Sequence, residues 1–114
     1  MSITLYGIPN CDTVKRARDW LDGHGMAYAF HDYKKFGADP AKLAEWCRTA
    51  GWEKVLNRAG TTFRKLPDAD KLGLDEAKAV ALMTANASCI KRPIAEYPGG
   101  LLVGFKPEQW AAAL

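Results

Sequence analysis

A chain of 114 residues with 48% hydrophobic and 25% charged residues has the size and balance of one globular domain with its own core, and no room for two. The formal net charge of +3 is too small for the clustered basic surface that nucleic acid demands, and suits a small anionic substrate equally well. No apolar run approaches the roughly 20 residues that span a bilayer, and the start MSITLYGIPN has no basic segment leading into a long apolar stretch, so neither a membrane anchor nor a secretory signal is expected.

Ile3 to Tyr6 is short, apolar and β-prone, and is stopped by a turn of Gly7, Pro9 and Asn10. From Asp12, the residues Val14, Ala17, Trp20 and Leu21 recur at helical spacing, with Lys15, Arg16, Asp19 and Asp22 on the other side. Gly23 and Gly25 end that helix, and His24 between them is placed to cap its carbonyls. Met26 to Tyr33 alternates as a strand, which completes a βαβ unit of parallel strands.

The middle of the chain reads as helical. Asp39 and Pro40 form a cap and first turn, followed by the stripe Leu43, Trp46, Cys47 and Ala50. Trp52, Val55, Leu56 and Ala59 repeat the pattern up to Gly60. The segment TTFRKLPDAD is read as a loop, and a further helix covers about Asp75 to Ala85. Ile94 to Tyr97 and Leu101 to Phe105 then form a hairpin across Pro98-Gly99-Gly100, and a short last helix carries Pro107, Trp110 and Leu114. The order is one domain over 1–114 of the α/β class, βαβ plus ββα, with a helical insertion over about 39–86. All four tryptophans fit core faces better than a stacking platform for bases.

Three cysteines, Cys11, Cys47 and Cys89, make an odd count without framework spacing, which indicates reduced thiols and a cytoplasmic setting. Cys11 stands where the first helix begins. Free backbone N–H groups and the positive end of the helix dipole favour an anion there, and a thiolate is one. Asp12 opposes this effect modestly, and the hydroxyl of Thr13 is placed to donate to the sulfur. A redox pair Cys-x-x-Cys would need a second cysteine at position 14, which is Val14. Position alone leaves a nucleophile and an inert buried thiol evenly balanced. Cys47 belongs to the apolar stripe, and for Cys89 packing outweighs a resolving role. Arg92 precedes Pro93 in CIKRPI, where a cis peptide would give the arginine a fixed pose, and Arg58 lies in VLNRAG. With neither Cys-x-x-Cys nor His-x-x-x-His, no metal site is expected.

YGIPNCDTVKRARDWL, NRAG, KRPI and VGFKPE, in this order and spacing, resemble the arsenate reductase-like family over essentially the whole chain. The likeness is closest to its YffB-like branch, where NCDT replaces the Cys-x-x-Cys of the Spx-like regulators. The resemblance implies a thioredoxin-like fold with a helical insertion, Cys11 as nucleophile, and Arg92 and Arg58 as binders of an anionic substrate. Asn10, Thr13, Pro93 and Lys106 join that binding set.

Two positions depart from the family's glutaredoxin-coupled arsenate reductases. A histidine four residues before the cysteine is Gly7 here, and a third anion-binding arginine is Lys106, which keeps the charge and loses the bidentate fork. The expectation is therefore a cytoplasmic, glutathione-dependent thiol reductase. It has no bound cofactor, takes glutathione as cosubstrate, and acts on a small anionic or thiol substrate, with a glutaredoxin-like reductant as a further partner. The alternatives are a true arsenate reductase and an Spx-like transcriptional regulator that binds RNA polymerase. The absent Cys-x-x-Cys and a sequence that ends soon after its last helix count against the latter.

Overall fold

The computed structural model describes residues 2–114. These divide into two compact units: residues 2–36 with Arg92–Leu114, and Gly37–Lys91.

The first unit is a four-stranded sheet with helices. β1 (Thr4–Gly7), α1 (Asp12–Gly23) and β2 (Ala29–Asp32) come first, then a single turn α2 (Tyr33–Phe36). The sheet order is β2-β1-β3-β4, where β3 is Ile94–Tyr97 and β4 is Gly100–Val103. β1 and β2 run parallel with Tyr6 opposite His31 and Gly7 opposite Asp32, while β3 is antiparallel to β1 with Ile94 opposite Tyr6. β4 returns antiparallel to β3, with Val103 opposite Ile94. Alternation sends Leu5 and Ala95 to one face, where they pack with Ala17 and Leu21 of α1, Leu102 of β4, and Trp110 of the last helix.

β2 is shorter than the expected Met26 to Tyr33 because the Asp32 carboxylate accepts from the Lys34 N–H at 2.9 Å. That side-chain bond caps a helical turn in which Tyr33 already takes part. His24 does close α1, with its backbone N–H on the Trp20 carbonyl and its Nδ1 donating to the same oxygen at 2.8 Å.

The second unit is helical. α3 (Pro40–Ala50) starts with the Asp39 carboxylate accepting from the Ala41 N–H at 3.0 Å. Leu43, Trp46 and Cys47 of α3 are buried, as are Ala79 and Met83 of α7 (Glu76–Ala85), the helix it packs against. The Trp52 run makes only one turn, α4 (Trp52–Val55), because Leu56 leaves it to bridge Ile90. The Asn57 N–H donates to the Cys89 carbonyl at 2.7 Å and the Lys91 N–H to that of Val55 at 2.8 Å. These two cross-bonds outweigh continuing the helix. TTFRKLPDAD is not a plain loop: it contains two single turns, α5 (Thr61–Arg64) and α6 (Asp68–Lys71). Lysine ammoniums bridge the carbonyls there, Lys71 to Arg64 and Lys78 to Ala69 and Leu72. Trp46 and Trp110 are buried, and Trp20, though partly exposed, packs against the core as expected; Trp52 is also partly exposed.

Candidate active site

β1 delivers the chain into the turn of Ile8, Pro9 and Asn10, and Cys11 stands as the N-cap of α1 with extended backbone (φ −127°, ψ 123°). Its carbonyl accepts the Lys15 N–H at 2.9 Å, the first bond of the helix, so the residue is held at the mouth of the helix dipole. No side chain caps that end. The backbone N–H groups of the first turn therefore have no side-chain oxygen competing for them. Cys11 is half-exposed, whereas Cys47 and Cys89 are 2% and 1% exposed. Burial, with the Glu76 charge adding, also pushes the Cys47 thiol up and keeps it protonated. Of the three thiols, Cys11 alone is presented to solvent at a helix start.

The sheet brings several expected residues to the same end. Because β3 is antiparallel to β1, its start lies beside the end of β1 from which the Cys11 turn springs. Arg92 and Pro93 occupy that start, Pro93 buried and Arg92 half-buried, and the peptide between them is cis. β4 ends at this edge too. The Gly104 N–H donates to the Pro93 carbonyl at 2.8 Å, and the Trp110 indole N–H donates to the Gly104 carbonyl at 3.1 Å. Gly104 turns with φ +77°, a conformation that favours glycine. This double tie leads the chain to Lys106, the exposed N-cap of α8 (Pro107–Ala113). Asn10 is exposed in the turn, and Thr13 is half-buried in the first turn of α1.

Arg58 belongs to the helical unit. It is exposed, and its guanidinium lies 5.6 Å from the centroid of the Trp52 ring, a cation–π distance.

Two further residues, Gly7 and Tyr33, shape this neighbourhood. A Cβ on Gly7 would fall 2.8 Å from Cγ2 of Val14, so the glycine is required by the close approach of α1 to β1. The second is Tyr33, which the strand reading hid and which lies two residues past the register partner of Tyr6. Among the described residues no cluster of three or more histidine, cysteine, aspartate or glutamate side chains is placed to hold a metal ion, and no helix is long and apolar enough to cross a membrane.

The chain is similar to a solved YFFB (PA3664) protein at 61% identity and a TM-score of 0.96, with 98% of each chain covered. An arsenate reductase (ArsC) related protein from Brucella melitensis matches at 55% identity and a TM-score of 0.77, over 99% of this chain and 94% of that one. The global transcriptional regulator Spx of Streptococcus mutans is 26% identical over 98% of this chain and 82% of its own length. The ArsC family model matches residues 6–113. With a sheet of the thioredoxin type, a half-exposed cysteine at the N-cap position of its first helix, a cis proline leading into the neighbouring strand, and this match over residues 6–113, the chain belongs to the ArsC family.

Proposed function

We propose that this protein is a thiol-based oxidoreductase that works by a monothiol cycle with glutathione. The observation that carries the reading is the exposure of Cys11 at the N-terminus of α1, at the same sheet end as Arg92, Pro93 and Lys106. The Cys11 thiolate attacks the glutathione-side sulfur of a mixed disulfide. The old S–S bond breaks, Cys11 becomes glutathionylated, and the substrate leaves as a thiolate that takes up a proton. A second glutathione thiolate attacks the Cys11–glutathione disulfide, releasing oxidised glutathione and restoring Cys11. In sum the disulfide passes from the substrate–glutathione pair to the glutathione pair: the substrate sulfur is reduced to a thiol as the incoming glutathione is oxidised. Arg92 holds a glutathione carboxylate through charge-assisted bonds, and Lys106 adds a second cation. Asn10 and Thr13 flank the sulfur with polar groups.

Mass spectrometry after incubation with oxidised glutathione tests the chemistry, with one adduct expected on the Cys11 peptide. In the mixed-disulfide assay, Cys11→Ser has no activity and Cys89→Ser keeps most of it. A folded but inactive Cys89→Ser protein would replace the monothiol cycle with a dithiol one. The likeness to Spx favours a second reading, a regulator that docks on RNA polymerase. Specific capture of RNA polymerase by this chain, together with an unmodified Cys11, would select that reading instead.

A further inference from the structure

A second constellation lies in the same unit, on the sheet face opposite α1 and α8. Tyr6 and His31 are register partners, with ring centroids 5.0 Å apart. Tyr33 stacks on Tyr6 at 6.3 Å and meets His31 edge-on at 5.6 Å. On the other side of β1, Ile94 is the partner of Tyr6. Alternation puts Glu96, two residues after it, on the same face, while Arg92 lies in the bend just before Ile94, across the cis peptide, at the sheet end where Tyr33 follows β2. The Tyr6 hydroxyl donates to Oε1 of Glu96 at 2.5 Å, a charge-assisted bond that commits its proton.

Tyr33 is 5% exposed, and its hydroxyl is buried without a hydrogen-bond partner among the described residues. Buried hydroxyls are nearly always paired, so an unpaired one calls for a use. Burial, reinforced by Tyr6 and Glu96, pushes the phenol far above its ordinary range, and the Arg92 charge works the other way. Tyr33 is therefore a neutral oxygen with an unused lone pair, within the electrostatic reach of the arginine that leads into the cis proline.

We infer that Tyr33 is the positioning residue of Arg92: with an anionic substrate docked, the Tyr33 hydroxyl oxygen accepts a guanidinium N–H and fixes the direction of the fork. The inference rests on the reading that the Cys11 site takes the carboxylates of glutathione. A guanidinium carries five N–H donors, and a carboxylate uses two, which leaves donors for a protein acceptor. A neutral phenol suits that position better than a carboxylate, because it orients the cation without competing with the incoming anion for its charge.

The experiment uses S-methylglutathione, which keeps both carboxylates and cannot exchange, alongside turnover of a glutathione mixed disulfide. Tyr33→Phe keeps the ring and removes only the oxygen. It is expected to weaken binding of the analogue about 10-fold, as loss of a bond to a charged group does, and to raise KM by a similar factor. The kcat stays within about two-fold, because Cys11 is untouched. In an Arg92→Lys background the same substitution changes binding less than about two-fold, since the fork it orients is gone. Unchanged binding in Tyr33→Phe, or equal losses in the two backgrounds, would overturn the inference, and so would a wild-type protein that does not bind the analogue. A wild-type protein that binds the analogue and transfers no thiol would instead sink the proposed reaction, leaving Tyr33 to be judged on binding alone.

Discussion

Replacing Gly7 by alanine probes the joint that sets Cys11 in place. The new Cβ would lie 2.8 Å from Cγ2 and 3.3 Å from Cγ1 of Val14, where ordinary contact begins at 3.4 Å. Gly7 is not among the positive-φ glycines, so the backbone accepts alanine and the whole penalty is one of packing. Val14 is fully buried. Its β-branched side chain is stiff about χ1, and both its methyl carbons are too close, so a simple rotation gives no relief. The first turn of α1 must retreat from β1 by several tenths of an ångström, and overpacking of this kind costs about 1–3 kcal/mol. For a chain of this size each kilocalorie lowers Tm by roughly 4 °C, so a fall of about 4–12 °C is expected. Urea unfolding followed by tryptophan fluorescence measures the same quantity. Val14→Ala in the Gly7→Ala background restores room, so the double variant should be more stable than the sum of the two single losses predicts. A Gly7→Ala protein as stable as wild type, with no coupling to Val14, would refute the packing argument.

Other outcomes follow from the same geometry. Iodoacetamide at neutral pH should label Cys11 in the folded protein, while Cys47 and Cys89, 2% and 1% exposed, react only after unfolding; peptide mapping in which either reacts first would remove Cys11 from its role. Arg92→Ala should lower kcat/KM more than Arg92→Lys, by about 10-fold or more, with both proteins folded, because lysine keeps the charge and loses the fork; equal activity in all three proteins would exclude Arg92 from the site. Burial holds the Cys47 and Tyr33 protons more tightly than in the unfolded chain, so their contributions are fully present below the ordinary values of 9.0 and 10.0 and are lost as pH rises beyond them. Urea midpoints between pH 8 and pH 11 should therefore fall, and Tyr33→Phe should flatten the part above pH 10; parallel curves for the two proteins would contradict the burial of that phenol.

Local pattern alone determined the βαβ start, the hairpin and the two longer helices of the middle segment, because alternation, helical stripes and caps such as Asp39-Pro40 act within a few residues. The place of Cys11 at a helix start was legible for the same reason, whereas its exposure, which separates it from the buried Cys47 and Cys89, belongs to the tertiary structure. Where a distant partner competed, only the tertiary structure decided. Leu56 left its helix for Ile90, far along the chain. Tyr33 left its strand because the Asp32 carboxylate captured the next turn. The single turns in TTFRKLPDAD are held by lysines reaching back to carbonyls six to nine residues away, beyond any helical period. Gly7, a turn glycine by local pattern, is required by the close approach of Val14 on α1. The buried hydroxyl of Tyr33, whose ring stacks on Tyr6 and meets His31, depends on strand pairing as well as on its own turn. Register is a property of pairing between segments, and no single segment encodes it.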